Sequence, residues 1–233
     1  MFQTDSFSYK GKFVNIPPRN VIPKPIQKPS PPMWMACGSD DTYEIAGELG
    51  LGVLAFAAKS PDYVGERIKN YKKKVANAKP VTGVVNNRAA AFCMMYCGES
   101  DDEADDTAGP TVVWYQDVFA RYYNQTQQTK YKGADHRTLD QDGDETFQKT
   151  EASMKIHQKR PPPTGEQMKQ LMNKARTSQG LCVGSAESII NVLKRYEENQ
   201  IDMVLCIVQS GMLQHEDIVQ SLKRFAREVM PAF

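Results

Sequence analysis

The stretch Pro31 to Phe56, PPMWMACGSDDTYEIAGELGLGVLAF, decides the architecture of this chain. An apolar run, residues 33–37, meets Gly38-Ser39-Asp40 and passes into a helical pattern that ends at Gly50. A second apolar run, residues 53–58, follows. The pattern predicts a strand, a tight turn, a helix, a tight turn and a second strand. In such a unit the helix begins at the carboxyl end of a buried parallel strand, where free N–H groups and the helix dipole favour an anion such as phosphate.

The same alternation continues along the chain. Apolar runs near residues 89–97 and 202–208 predict two further buried strands. The helical patterns between and after the strands lie at residues 61–78, 111–124, 166–178, 188–200 and 215–229, and the acidic segment 99–107 suits the first turn of a helix. Strands that alternate with helices predict a parallel α/β architecture. Residues 1–32, which contain seven prolines, are expected to form an extended, loop-like lead-in, and residues 125–165 a polar insertion.

The composition indicates which binding partners are expected and in which cellular compartment the protein is expected. The 233 residues carry a net charge of +1, which gives no reason to expect nucleic acid or an anionic membrane as a partner. The first residues lack the apolar core of a signal peptide, so we expect no export and a cytoplasmic location. The five cysteines form no CxxC pair and lie mostly in apolar runs, so they are expected to be buried thiols without a bound metal.

Two turns are candidate anion sites, and each has a plain structural alternative. Ser39 is either a phosphate ligand or an ordinary N-cap residue. Gly184-Ser185 forms a second expected helix start. The three histidines, His136, His157 and His215, are expected at the surface, and the sequence contains no set of residues typical of a catalytic triad or carboxylate pair.

Three segments together carry a resemblance to a known family. Residues 23–54, PKPIQKPSPPMWMACGSDDTYEIAGELGLGVL, combine a proline-rich lead-in, a strand, a small-residue turn with Ser and a helix. Residues 183–205, VGSAESIINVLKRYEENQIDMVL, and residues 221–233, SLKRFAREVMPAF, follow in order. This ordered set resembles the flavin-dependent luciferase-like monooxygenases, relatives of bacterial luciferase. Ala186 departs from that family's pattern, in which Pro usually stands at this position.

The resemblance implies a fold and a domain division. The family fold is a (β/α)8 barrel of the TIM type, and this chain matches its C-terminal half, strands five to eight. We therefore expect a half-barrel over residues 33–233 behind the lead-in of residues 1–32, and a chain that is a fragment, a truncated product or half of a split protein.

The resemblance also implies a cofactor and a site. It places the phosphate of flavin mononucleotide (FMN) at the turn after the first strand, with Gly38 and Ser39 close to it and the hydroxyls of Ser39 and Thr42 as donors. Phe56 would border the flavin. Reduced FMN, supplied by a flavin reductase, and O2 would oxygenate a small organic substrate, in a homo- or hetero-oligomer. The alternative is a non-catalytic half-barrel that binds a phosphate ligand or a partner chain.

Overall fold

A computed structural model describes residues 1–55, 60–128, 163 and 165–233 of the chain. These residues divide into two compact units. The first unit comprises Met1–Cys93, Ser178–Gly180 and Val192–Cys206, and the second comprises Met94–Thr177, Leu181–Asn191 and Ile207–Phe233. No helix in the described ranges combines the length and the apolar character that a membrane crossing requires.

Strands and helices alternate from residue 34 onward. The described strands are β1 (Phe7–Lys10), β2 (Asn15–Arg19), β3 (Trp34–Cys37), β4 (Gly52–Ala55), β5 (Ala89–Cys97), β6 (Cys182–Gly184) and β7 (Met203–Ile207). The described helices are α1 (Asp40–Glu48), α2 (Pro61–Val75), α3 (Asp101–Gln128), α4 (Glu166–Gln179), α5 (Ala186–Glu198) and α6 (His215–Arg224). A π-helical turn, Phe225–Val229, and a 3-10 turn, Met230–Ala232, end the chain.

This order confirms the predicted parallel α/β architecture. Strand β3 pairs with β4 and β4 pairs with β5, both in parallel, and β7 also pairs with β5. The predicted strand at residues 53–58 is seen as β4 up to Ala55, and its remainder lies outside the described residues. The acidic segment at 99–107 and the predicted helix at 111–124 belong to one helix, α3, which contains Pro110.

The proline-rich lead-in differs from its prediction, because it contains a hairpin. Strands β1 and β2 pair antiparallel, with Tyr9 opposite Ile16. Pro17 and Pro18 lie inside β2. Consecutive strand residues direct their N–H positions to opposite sides, so one of the two prolines faces the side without a neighbour, where it removes no ladder hydrogen bond. The pairing is irregular between Phe7 and Tyr9, opposite the two prolines, which accommodates the other. Sequence rules that exclude proline from strands therefore fail at this segment.

In the first unit, helix α1 is closed by glycine and helix α2 is held by an apolar stripe. Gly50 has φ +66°, and its N–H donates to the carbonyl of Gly47 at 3.2 Å, so the predicted helix end is confirmed. The stripe predicted on α2 is buried throughout: Val64, Ile68, Tyr71 and Val75. The stripe faces the protein interior, as the spacing predicts.

The second unit has its own apolar core. Strand β6 pairs with the end of β5 in parallel, with Met95 beside Cys182. The core contains residues of β5, α3, α4 and β6 and of the segment before β6: Tyr96, Ala104, Ala108, Val112, Met168, Met172, Ala175, Leu181 and Val183. The alanines at positions 104 and 108 lie one turn apart, so they present the same face of α3 to this core. Most of the predicted polar insertion, together with His136 and His157, lies outside the described residues.

Candidate phosphate-binding site

The turn between β3 and α1 lies at the surface of the first unit. Gly38 and Ser39 follow the last strand residue, Cys37, and the helix begins at Asp40. Ser39 is the N-cap, with an extended backbone of φ −126° and ψ 159°. Gly38, Ser39 and Asp40 are all exposed. The first N–H groups of any helix have no carbonyl partner inside the helix, so they can bind a ligand unless the turn itself supplies an acceptor.

Thr42 closes the turn by exchanging hydrogen bonds with Ser39. The backbone N–H of Ser39 donates to Oγ1 of Thr42 at 3.2 Å. The hydroxyl of Thr42 donates to the carbonyl of Ser39 at 2.6 Å, and the N–H of Thr42 donates to the same carbonyl at 3.1 Å. Because one hydroxyl has one proton, Thr42 must release the Ser39 carbonyl before it donates to a ligand.

Open space lies above Gly38. A Cβ atom built on this residue meets no heavy atom within 4 Å, and its φ is not in the left-handed region. The fold of the described residues therefore does not require glycine here. A glycine that neither the backbone nor the neighbouring atoms demand leaves room for a ligand to approach the main chain.

The charge at this turn is mixed. Asp40 and Asp41 occupy the first turn of α1, where they favour the helix but repel an anion. Arg67 of α2 compensates for part of that charge, because its Nε donates to Oδ1 of Asp40 at 2.6 Å. The guanidinium also stacks on the ring of Tyr63, 3.3 Å from its centroid, and donates from Nη1 to the carbonyl of Tyr63 at 3.0 Å. A planar, oriented cation thus stands beside the turn.

The sequence analysis did not predict Arg67. It lies 27 residues from Asp40, and contacts over such distances leave no periodic pattern in a sequence. The available signal was the placement of Tyr63 and Arg67 four positions apart at the start of the next helix, which puts both side chains on one face of α2.

Buried side chains of the strand end and of the first helical turn pack behind the turn. The thiol of Cys37 donates to the carbonyl of Thr42, with Sγ 3.4 Å from the oxygen. Burial raises the pKa of Cys37 to about 11, so the group stays a neutral donor. Burial also raises the pKa of the Tyr43 hydroxyl well above its ordinary value. The strand end and the first helical turn are therefore joined by neutral groups. The fourth predicted site residue, Phe56, lies outside the described residues.

The second candidate turn, Gly184-Ser185, is filled by a side chain of the protein. Asp101 of α3 accepts the N–H of Ser185 at 2.7 Å and the hydroxyl of Ser188 at 2.8 Å. A Cβ on Gly184 would lie 2.6 Å from Oδ1 of Asp101. Burial on its own would raise the pKa of Asp101, but the hydrogen bonds from Ser185 and Ser188 outweigh it and hold the pKa below its usual value. The start of α5 therefore already holds a carboxylate as its anion.

The other candidate groups lie apart from these turns. His215 is the first residue of α6 and is exposed, as predicted. In the described ranges, no group of three or more His, Cys, Asp or Glu side chains is placed to hold a metal ion. None of the five cysteines forms a disulfide bond; Cys37, Cys93, Cys97 and Cys182 are buried and Cys206 is half-buried.

Residues 1–203 match the family model described as luciferase-like monooxygenase, and the chain belongs to that family. A curated relative, the oxygenase component of flavin-dependent trigonelline monooxygenase from Acinetobacter baylyi, is 23% identical over 227 residues. That alignment covers 97% of this chain and 55% of the relative. The chain thus spans about half the length of the curated relative that it matches, which agrees with the prediction that it represents part of the family domain.

Solved structures agree on the fold. The monooxygenase RslO1 from Streptomyces bottropensis superposes with a TM-score of 0.64 at 15% identity, over 99% of this chain and 56% of that chain. The oxygenating constituent of 3,6-diketocamphane monooxygenase from Pseudomonas putida, solved in complex with FMN, gives a TM-score of 0.58 at 14% identity, over 98% of this chain and 58% of that chain. The chain therefore has the fold of about half of a luciferase-like TIM barrel, as predicted.

Proposed function

We propose that this chain is the phosphate-binding half of a flavin-dependent monooxygenase. The observation that carries the proposal is the open turn at Gly38-Ser39, which places a helix start at the carboxyl end of a parallel strand in a member of the luciferase-like family. Two similar proteins, a flavin-dependent monooxygenase component and a structure solved with FMN, support flavin as the cofactor class.

The residues of the turn fit a phosphate monoester. The backbone at Gly38 and Ser39 would approach the phosphate oxygens, with the Ser39 hydroxyl as a further donor. Thr42 would add its hydroxyl after releasing the Ser39 carbonyl. Phe56, which follows β4 in the sequence, would border the flavin ring. These assignments give the protein the role of binding and orienting the cofactor.

Reduced FMN, when bound, supplies the electrons that activate O2 for oxygenation of a small organic substrate. We propose that a separate flavin reductase provides the reduced form, because the curated relative is named as an oxygenase component. A cytoplasmic location fits five cysteines that form no disulfide bond. We propose that residues 1–32 form a lead-in and residues 33–233 the half-barrel. We also propose that the protein forms a homo- or hetero-oligomer.

The test compares FMN with riboflavin, which lacks the phosphate. We expect the chain to bind FMN more tightly than riboflavin in titrations that follow flavin fluorescence. Ser39→Ala should weaken FMN binding by about tenfold, because a hydrogen bond to a charged group contributes about 1.5 kcal/mol or more. Riboflavin binding should not change.

Ser60→Ala is the matched control, since Ser60 is also an N-cap serine and accepts the N–H of Tyr63 at 3.2 Å. This variant should lose helix stability but keep the wild-type preference for FMN. Equal binding of FMN and riboflavin by the wild type, or no binding of either, would remove the basis of the proposal. Binding of FMN without faster oxidation of reduced flavin would favour the non-catalytic alternative.

A further inference from the structure

A cavity of about 520 Å³ lies at the amino ends of parallel strands in the first unit. Trp34 is the first residue of β3, and Arg88 directly precedes β5. The residues that line the cavity are Pro32, Trp34, Val85, Asn86, Asn87 and Arg88. Sites for small molecules typically have volumes of about 300–1,000 Å³, so the cavity is large enough for a small organic ligand.

This cavity is separate from the turn proposed to bind phosphate. That turn, Gly38-Ser39, follows the last residue of β3, whereas the cavity lies at the first residue of the same strand, Trp34. The length of β3 separates the two positions by about 13 Å, at about 3.3 Å for each strand residue. A small ligand in the cavity would therefore not touch the proposed phosphate turn.

Asn86 supplies a buried hydrogen-bond acceptor at the cavity, and it is only 5% exposed. Its backbone N–H donates to the carbonyl of Gly50 at 2.9 Å, and its backbone carbonyl accepts the hydroxyl of Tyr71 at 2.7 Å. Its side-chain Nδ2 donates to the carbonyl of Met33 at 3.0 Å, which fixes the nitrogen and oxygen ends of the amide. Among the described residues, none donates to Oδ1 of Asn86. A buried acceptor that is held in place without a donor favours a ligand with an O–H or N–H group.

Trp34 supplies an aromatic surface beside that acceptor, and it is 38% exposed. It pairs with Gly52 of β4. A Cβ on Gly52 would collide with Nδ2 of Asn86 and would lie 2.7 Å from Cε3 of Trp34. Glycine at position 52 thus lets the indole ring and the Asn86 amide lie side by side. An indole ring in this position suits a planar aromatic ligand, which can stack on its face.

Arg88 supplies the positive charge of the cavity. It is exposed, and its guanidinium forms no hydrogen bond or ion pair with the part of the chain that the structure describes. Its backbone carbonyl accepts the N–H of Val53 at 2.9 Å, so its main chain is fixed by the sheet. Asp202, which accepts the N–H of Ala89, is itself paired with Lys72 at 3.2 Å. The other five lining residues are uncharged, so the cavity favours an anion such as a carboxylate.

We propose that this cavity binds a small planar aromatic carboxylate that also carries a hydroxyl or N–H group. The ring stacks on Trp34, the carboxylate pairs with Arg88, and the donor binds Oδ1 of Asn86. Each group of the ligand fits one feature of the lining. An aliphatic anion lacks the stacking contact, and a neutral ring lacks the ion pair.

The test uses three probes: para-hydroxybenzoate; benzoate, which lacks the hydroxyl donor; and methyl para-hydroxybenzoate, which lacks the charge. We expect calorimetric titrations at concentrations up to about 1 mM to show binding of para-hydroxybenzoate. The other two probes should bind at least about fivefold more weakly. Binding should also quench the fluorescence of Trp114→Phe, in which Trp34 is the one that remains of the two tryptophans.

Arg88→Gln should weaken the binding of para-hydroxybenzoate by about tenfold. The same substitution should leave the binding of the methyl ester unchanged, because the ester has no charge for the guanidinium to pair with. Arg19→Gln is the matched control, since Arg19 is also an exposed arginine of the first unit but lies on β2, outside the cavity. This control should bind all three probes as the wild type does.

Four results would overturn the proposal. They are no binding of para-hydroxybenzoate, equal affinity for this probe and its methyl ester, wild-type affinity in Arg88→Gln, and binding that leaves Trp34 unquenched. If Arg88→Gln fails to fold, the comparison of the acid with its ester on the wild type decides. Displacement of para-hydroxybenzoate by FMN would also contradict the cavity, because it would place the probe in the flavin site. Binding that FMN does not change supports the cavity, whether or not the chain binds FMN.

Discussion

Asp40 is the residue at which helix stability and anion binding oppose each other. Its carboxylate favours the start of α1 but adds negative charge where the proposed phosphate would sit. Its ion pair with Arg67 at 2.6 Å also fixes the position of that guanidinium beside the turn. A phosphate would compete with the Asp40 carboxylate for that guanidinium. Both anions have two or more oxygens that can accept the paired N–H groups of arginine.

We therefore expect Asp40→Asn to bind FMN more tightly than the wild type. Loss of the repulsive charge and release of Arg67 should together raise FMN affinity by about fivefold, or about 1 kcal/mol. Riboflavin affinity should stay the same, because the effect acts on the phosphate. The measurement is the ratio of the two dissociation constants.

Asp62→Asn is the matched control for Asp40→Asn. Asp62 is also in the first turn of a helix and also pairs with an arginine, Arg195, at 2.7 Å. Its substitution should leave the ratio of FMN to riboflavin affinity unchanged. A ratio that falls in Asp40→Asn would contradict phosphate binding at the start of α1.

At the scale of single elements, the start of helix α5 is hydrogen-bonded by a side chain of the same protein, Asp101. The pKa of Asp101 lies below its ordinary value of 3.8, because the hydrogen bonds from Ser185 and Ser188 outweigh the effect of burial. The ionised form therefore stabilises the folded state at any pH above the ordinary value. This contribution is lost as the pH falls through the lower, folded-state pKa.

We expect Asp101→Asn to remove this part of the acid sensitivity. Between about pH 5 and about pH 3, the free energy of unfolding of the wild type should fall more steeply than that of the variant. Urea titrations across this range would measure the difference. Asp106→Asn, at an exposed carboxylate of the same helix, should follow the wild-type curve. Parallel curves for the wild type and Asp101→Asn would mean that Asp101 has no special role at α5.

Asp105 on α3 and Arg176 on α4 form a buried charge pair in the second unit. The two side chains are 2% and 8% exposed, and their two contacts measure 2.5 and 3.1 Å. Asp105→Ala should lower the free energy of unfolding by about 3–5 kcal/mol, because it leaves a buried cation unpaired. Replacement of both residues, Asp105→Leu with Arg176→Met, should recover most of that loss.

The exposed pair of Asp62 and Arg195 offers a comparison for this prediction. Asp62→Ala should change the free energy of unfolding by less than about 1 kcal/mol, since water screens an exposed pair. Urea denaturation of the three variants gives the comparison directly. A loss after Asp105→Ala as small as that after Asp62→Ala would show that water reaches the buried pair.

Local sequence patterns predict the helices and strands, but they do not predict contacts between residues far apart in the sequence. The stripe on α2 and the glycine at the end of α1 follow from spacing and backbone freedom, and both are found. The same reasoning placed Ser39 at a helix start. It could not pair Arg67 with Asp40 or Asp101 with Ser185, because these contacts join residues 27 and 84 positions apart. It also predicted β7 as a buried strand, whereas that strand is partly exposed.

At the scale of the whole molecule, the question is whether about half of a barrel folds alone. The chain covers 55% of its curated relative, yet it places four of its five cysteines in buried positions on β3, β5 and β6. Burial raises the pKa of Cys37 and of Cys97 to about 11, and the hydrogen bond to Cys93, with burial, raises the pKa of Cys206. A thiol reagent that needs thiolate should therefore react poorly with the folded chain.

We expect fewer than one of the five thiols to react rapidly with a disulfide reagent at about pH 8, and all five to react in denaturant. The rate in native buffer should rise with added urea along the unfolding curve measured by circular dichroism, because access to the buried thiols requires the sheet to open. Asp105→Ala should react faster than Asp62→Ala at the same urea concentration, since its second unit opens more often. Rapid reaction of four thiols in native buffer would mean that the half-barrel alone does not bury the cysteines of its sheet.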